Sequence, residues 1–318
     1  MKDSEKLKNV YKKFRRVKNK MVRNFPVVSI EEIKLTAKIK RRMDSFSKKR
    51  ADENAKKIRV HKFFYKSGGH NVVGFLAEPK KGGKKLPVVI CNRGGFREFG
   101  AIEEHHLFTR WMARFAGAGY IAIASQYSGN SGSEGKDKFG GRDIDDVLNL
   151  YQLLKKYKRA DINRIGMYGF SRGGMMTYIA LSKVKWIKAA IVHAGPTNLL
   201  KKENSKPEME EYFRKMFGGS LAEKKKRSVI SWVNKLPKKT PILIIHGTAD
   251  RRVSAVDSLE LSEKLYSHKI PHRLIIYEGG DHDLSEFRKE VGEEKIRWFD
   301  RFVKNPKPVM PNLKPHGE

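Results

Sequence analysis

The 318-residue chain carries 68 Lys and Arg against 35 Asp and Glu, a formal charge of +33 with a sequence pI near 10.1. At roughly 100–200 residues per domain, this length gives one large domain or a domain with an appendage. Apolar types make up 39% of the chain, and no run approaches the ~18–20 apolar residues of a membrane-crossing helix, which excludes such a span. With Cys91 as the single cysteine, no intramolecular disulfide can form. The N-terminus lacks the apolar block and small-residue cleavage site of a secretory signal, so the expected compartment is the cytoplasm.

Positive charge is densest at the start. Residues 1–60 hold 21 basic and 7 acidic side chains, with runs at Lys12, Lys13, Arg15, Arg16, Lys18 and Lys20 and again from Lys38 to Arg50. Residues 1–56 therefore read as a basic, partly helical N-terminal extension. Such a segment is either an arm for nucleic acid or an anionic membrane surface, or a solvated extension. The second reading is preferred, because charge alone specifies no partner and no zinc-finger spacing, aromatic RNA-binding signature or G-x-x-G clamp accompanies it. Val22, Phe25, Val27, Val28, Ile30, Ile33 and Leu35 give parts of it an apolar side to pack on the main domain.

From residue 57 short β-rich runs alternate with helical patterns, the signature of an α/β fold with a mostly parallel central sheet flanked by helices. Ile58–Tyr65 and Val72–Leu76 flank Ser67-Gly68-Gly69-His70 and predict a hairpin. Further strands are expected at Pro87–Cys91, Tyr120–Ala124, Ile165–Gly169, Ala189–His193, Ile242–Ile245 and His272–Tyr277. Helices are expected at Glu103–Ala116, Arg142–Tyr157, Arg172–Leu181, Ala255–His268 and Leu284–Val303. Residues 196–240 interrupt the rhythm with charged helical sequence, Met209–Phe217 and Lys224–Trp232, and read as a small helical cap inserted in a domain of residues 57–304. Residues 305–318, with four prolines, read as an extended tail.

The chemistry-bearing motif is Gly169-Phe170-Ser171-Arg172-Gly173-Gly174. It follows an apolar strand and opens a helix, the context required of a G-x-S-x-G nucleophile elbow. A serine hydroxyl needs a base to take its proton and an acid to orient that base, in the chain order Ser, Asp or Glu, His. Asp250 lies in the loop after strand Ile242–Ile245, and His282 in the loop after the next strand. Asp281 and Asp283 flank the histidine, but sequence neighbours point elsewhere and Asp281 or Asp283 better suits the cap of the helix near Leu284. His246 is read as stabilising the turn before Asp250. His105 and His106 lack the i, i+4 metal spacing, Cys91 ends an apolar strand, and the Asn130–Ser133 loop lacks the glycine pair and following helix. An oxyanion hole calls for two donors. One is the backbone N–H of Arg172; the other comes from Arg93, Gly94 or Gly95 in the loop after Pro87–Cys91.

These motifs together resemble the catalytic domain of the prolyl oligopeptidase family of α/β-hydrolases, over roughly residues 57–303. The resemblance implies Ser171 as nucleophile, Asp250 as orienting acid and His282 as general base, with no cofactor and no metal. Members often carry Tyr or His just before the Gly-Gly pair; here that position is Arg93, which leaves the second donor open between Arg93 and the backbone of Gly94 or Gly95. Only about 56 residues precede the domain, too few for the β-propeller that peptidases of this family usually carry, since each blade needs ~40–45 residues. Access must then be filtered by something smaller, with the cap and the basic segment as the candidates. The expected function is cleavage of ester or short acyl and peptide bonds through an acyl-enzyme. The competing expectation is a polyanion-binding α/β scaffold, docking nucleic acid or an anionic membrane surface, with vestigial catalysis. Oligomeric state has no signature in the sequence.

Overall fold

The computed structural model describes residues 27–83, 85–201, 207–305 and 307–313. The chain has the α/β-hydrolase fold: among the described residues, nine mostly parallel strands are flanked by helices, in two compact units. One unit holds the described residues through Cys91 together with Phe96–Asp137 and Asp145–Ile162. The other holds Asn92–Gly95, Lys138–Ile144 and the described residues from Asn163 onward. The basic run at Lys12–Lys20 lies outside the described residues.

In the first unit, strands β2 (Ile58–Ser67) and β3 (His70–Pro79) form the expected hairpin, closed by Gly68 and Gly69 at φ 53° and 83°. Two successive positive φ values are what a tight two-residue hairpin turn demands, and glycine supplies them without a Cβ penalty. Strand β4 (Leu86–Asn92) is buried at every position and pairs in parallel with β5 (Ile121–Ser125), which pairs antiparallel with β3. A strand buried on both faces must read as a continuous apolar run, and Leu86–Cys91 does. The hairpin gains one more partner: β1 (Ser29–Glu32) lies antiparallel on β2, with Ile30 opposite Phe63.

Helices α1 (Ala37–Lys40) and α2 (Ser45–Lys57) follow β1, each opened by a side-chain cap, Thr36 Oγ1 on the Ile39 N–H and Asp44 Oδ1 on the Ser47 N–H. The helix expected at Glu103–Ala116 is divided into α3 (His106–Thr109) and α4 (Trp111–Gly117), because Arg110 is extended. A tertiary contact accompanies the break: Asn54 of α2 donates its Nδ2 to the carbonyl of Phe108 at 2.8 Å, so that this carbonyl ends the short helix outside the helical ladder. Helix α5 (Ile144–Lys156) leads to Tyr157 and Arg159, which meet at Glu78 of β3. The Glu78 carboxylate is buried, accepts the Tyr157 hydroxyl at 2.7 Å and pairs with Arg159 at 2.7 Å.

In the second unit β6 (Ala160–Phe170), β7 (Ile187–His193), β8 (Ile242–Gly247) and β9 (His272–Tyr277) run parallel in that spatial order. Helix α6 (Arg172–Lys183) connects β6 to β7. Between β7 and β8 come α7 (Pro207–Phe217), α8 (Leu221–Arg227) and two short 3₁₀ turns at Val229–Ser231 and Val233–Lys235. The helix expected at Lys224–Trp232 thus starts earlier, at its Ser220 cap, and stops at Arg227. Helix α9 (Ala255–Ser267) connects β8 to β9. The last expected helix starts four residues late, as α10 (Arg288–Phe299), since Leu284 sits at φ 50° in the preceding turn; it then widens into a π-helical turn at Asp300–Lys304. Residues 305 and 307–313 form neither helix nor strand.

The Glu78 cluster gives a stability test. Tyr157→Phe removes one hydrogen bond to a buried carboxylate while Arg159 remains, so it should lower unfolding free energy by about 1.5–3 kcal/mol, read as a drop in the urea midpoint at unchanged slope.

Candidate active site

All the residues singled out for chemistry fall in the second unit. Ser171 stands between β6 and α6 at φ 54° and ψ −125°, a conformation that costs a non-glycine residue energy and that only surrounding structure can enforce. The enforcement is steric and specific. The Ser171 N–H donates to the His193 carbonyl at 2.8 Å, anchoring the turn to β7. A Cβ at Gly169 would stand 2.1 Å from the Gly173 carbonyl oxygen, and one at Gly173 would stand 2.0 Å from that of Asn92. Glycine at both positions therefore lets the turn close and lets α6 start against the backbone of residues 92–93. Gly94 faces the serine itself, since a Cβ there would lie 3.1 Å from the Ser171 Cβ.

Asp250 lies in the turn after β8 with its carboxylate fully used. Oδ1 accepts the N–H groups of Arg252 and Val253 at 2.8 and 3.0 Å. Oδ2 meets His282 Nδ1 at 2.7 Å and His246 Nε2 at 3.1 Å. Facing a carboxylate, His282 Nδ1 must carry the proton, which leaves Nε2 as the basic nitrogen of that ring. His246 Nε2 also faces the Val253 carbonyl at 3.0 Å, so it too is the protonated nitrogen, and Nδ1 accepts from the Ser258 hydroxyl at 2.7 Å. Burial pushes the Asp250 carboxyl up, but hydrogen bonds from His246, His282 and the Val253 N–H outweigh it and hold the group well below the usual carboxylate range.

The structure joins Asp250 to His282 directly and brings His282 to the elbow through Phe170, whose ring centroid is 5.1 Å from the imidazole. No hydrogen bond links the Ser171 hydroxyl to His282 among the described residues. Arg172 begins α6, where backbone N–H groups lack helical partners. Arg93 is a fully buried side chain whose Nη1 donates to the Gly94 carbonyl at 2.9 Å. Gly95 adopts φ 70°. Of the alternatives, Asp281 accepts the Ser285 N–H at 2.8 Å as a turn cap, Cys91 is buried, and His105 and His106 stack on each other in the first unit. Burial, followed by Arg110, pushes His106 down to about 3. That unit also holds a cleft of about 560 Å³ between Lys38, Arg42, Glu98, Glu103 and Gln126; none of the predicted site residues lines it.

Two features escape a sequence reading. His246 is a second ligand of the Asp250 carboxylate as well as a turn residue, a role hinted at only by its position four residues upstream. Behind the elbow, Lys295 of α10 lies with its Nζ 3.0 Å from His193 Nδ1 and 3.2 Å from the Tyr168 hydroxyl, all three side chains buried. Nothing in the sequence around Lys295 marks it as interior.

A model of the prolyl oligopeptidase family matches residues 107–306, a stretch that includes Ser171, Asp250 and His282. The chain belongs to the prolyl oligopeptidase family. An uncharacterized peptidase, YtmA, of Bacillus subtilis is 27% identical over 81% of this chain and 98% of its own length. Dipeptidyl-peptidase 5 of Porphyromonas gingivalis is 29% identical over 70% of this chain, which spans only 34% of that protein. Among solved structures, an acylaminoacyl peptidase of Pyrococcus horikoshii superposes with a TM-score of 0.69 at 23% identity, covering 81% of this chain and 44% of the other. That structural likeness carries the fold. Family membership makes the chain a serine peptidase by class, and no helix among the described residues is long and apolar enough to cross a membrane.

His193 predicts a pH dependence of stability. Burial, then the neighbouring Lys295, pushes it well below its ordinary value of 6.5, so it is neutral in the folded protein and protonates first in the unfolded chain. Its contribution is complete above about pH 6.5 and is lost as pH falls, with a limiting slope of about 1.4 kcal/mol per pH unit. His193→Asn should flatten the fall in unfolding free energy between pH 6.5 and 4.5 by up to that slope.

Proposed function

We propose that Ser171, His282 and Asp250 form the catalytic triad of a serine peptidase that cleaves short acylated or dipeptidyl substrates, and small activated esters, through an acyl-enzyme. The observation that carries this reading is the 2.7 Å bond between His282 Nδ1 and Asp250 Oδ2, because it leaves the opposite ring nitrogen, Nε2, able to accept a proton. The backbone strain at Ser171 and the family match support it.

The chemistry follows from those placements. Ser171 Oγ attacks the substrate carbonyl as His282 Nε2 takes its proton, a contact that tightens when substrate fills the site. Negative charge develops on the carbonyl oxygen, and the Arg172 N–H at the start of α6 is one donor for it, the Gly94-Gly95 backbone the other. Arg93, whose guanidinium holds the Gly94 carbonyl, supports that turn. The tetrahedral adduct collapses as His282 returns the proton to the leaving amine or alkoxide. Water then repeats the attack on the acyl-Ser171, giving the free acid and the original serine. Asp250, kept ionised by its four hydrogen bonds, steadies the imidazolium formed in each half.

The relatives' names supply the substrate classes to compare: N-acetyl-alanine p-nitroanilide, alanyl-alanine p-nitroanilide and p-nitrophenyl esters of increasing acyl length. Ser171→Ala should lower turnover of whichever substrate is best by on the order of 10⁴ or more and abolish labelling by a fluorophosphonate, with the circular dichroism spectrum kept. Activity within tenfold of the parent enzyme would end the assignment. For Asp250→Asn the expected loss is on the order of 10³–10⁴ in kcat, since the amide cannot enforce the same tautomer.

A further inference from the structure

The proposed reaction uses the backbone of Arg172 and leaves its side chain without a role, yet that side chain is placed at some cost. A guanidinium at the first position of a helix opposes the positive end of the helix dipole, and burying it requires full compensation. The Arg172 side chain is 2% exposed, and its fork spans two chain segments. Nη2 pairs with Asp143 Oδ2 at 2.5 Å, and Nη1 donates to the Gly95 carbonyl at 3.2 Å. Its central carbon lies 4.7 Å from the ring centroid of Phe139, which adds a cation–π contact.

Asp143 and Phe139 belong to one tight loop. The Asp143 carboxylate also accepts the Gly140 N–H, and Phe139 is itself at φ 47°. The cap grips this loop. Arg227 of α8 donates Nε to the Phe139 carbonyl and Nη2 to that of Lys138, each at 2.8 Å, while it stacks on Phe217 of α7 at 3.9 Å. Tyr212 and Phe213 of α7 pack on the Phe139 ring with centroids 5.6 and 5.4 Å away. A continuous set of contacts thus runs from the cap, through the 138–144 loop, to the carbonyl of Gly95.

Gly95 is where a restraint has most effect. Two successive glycines have no Cβ to limit their dihedrals, so the turn beside Ser171 cannot fix its own peptide planes. We propose that the Arg172 side chain is a positioning residue that clamps the Gly94-Gly95 turn, and that the cap holds the clamp through Phe139 and Arg227. The proposal rests on the reading of this site as a serine peptidase, and it adds a dependence of oxyanion binding on the cap.

The test compares the full chain with Arg172→Met/Asp143→Asn, which removes the clamp without stranding a buried carboxylate, and with Arg172→Lys and Phe139→Leu. Amide hydrogen exchange over residues 92–95 is read beside kcat and KM for the best ester. In the double variant, exchange should speed up by at least about tenfold and kcat should fall on the order of 10- to 100-fold, with KM within twofold. Arg172→Lys should recover part of both, and Phe139→Leu should move both in the same direction by less. Unchanged exchange at 92–95 overturns the clamp, as does faster exchange with kcat intact. If Arg172→Met/Asp143→Asn does not fold, Arg172→Lys and Phe139→Leu decide by the same two readings. A parent enzyme that neither turns over substrate nor labels at Ser171 would defeat the peptidase reading instead, and exchange alone would then decide the clamp.

Discussion

The space between the start of α6 and the backbone at Asn92 admits no side chain. A methyl group at position 173 would overlap the Asn92 carbonyl, and one at 169 would overlap the first turn of the helix. Where those backbones touch, Ser171 takes a positive φ, and Gly94 sits against the serine. Strain at a single residue is here the product of packing around it, and the packing is made of main-chain atoms that substitution elsewhere cannot easily shift.

The electrostatics of the site are arranged around one oxygen. Asp250 Oδ2 receives both His246 and His282, and Oδ1 receives two backbone N–H groups, so each lone pair facing the protein has a donor. Burial alone would favour the protonated acid; four donors reverse that preference. His246, tied in turn to Ser258 and the Val253 carbonyl, is a second anchor on the oxygen that His282 meets and limits the carboxylate's rotation.

The fold was legible in the sequence because it depends on local signals, and the same signals are what single out Ser171, Asp250 and His282 as candidates. Short apolar runs mark strands such as β4 and β8, and the G-x-S-x-G motif is the chemical trace of the elbow's crowding. Asp250 and His282 were placed by the order of loops after parallel strands, and their hydrogen bond agrees with that placement. What stayed hidden is tertiary. The break at Arg110 accompanies a hydrogen bond from Asn54, more than fifty residues upstream. Strand β1 has four residues, two of them acidic, too little for an alternating pattern to register. Lys295, His193 and Tyr168 come from a helix and two strands with no shared motif, and the fork of Arg172 reads in sequence as one more basic residue in a chain that has 68.

Strand β1 also bears on what the edge of the hairpin would expose without it. β2 is ten residues long and mostly buried, with Phe63, Phe64 and Tyr65 in its centre, and β1 covers its outer hydrogen-bonding edge from Ser29 to Glu32. A shortened chain beginning at residue 57 would retain every group named in the chemistry. It would also bare a row of unsatisfied amides and carbonyls backed by aromatic rings, the kind of border on which neighbouring copies stack into aggregates. The acidic, four-residue strand is a poor template for that growth, so β1 forms a selvedge along the hairpin.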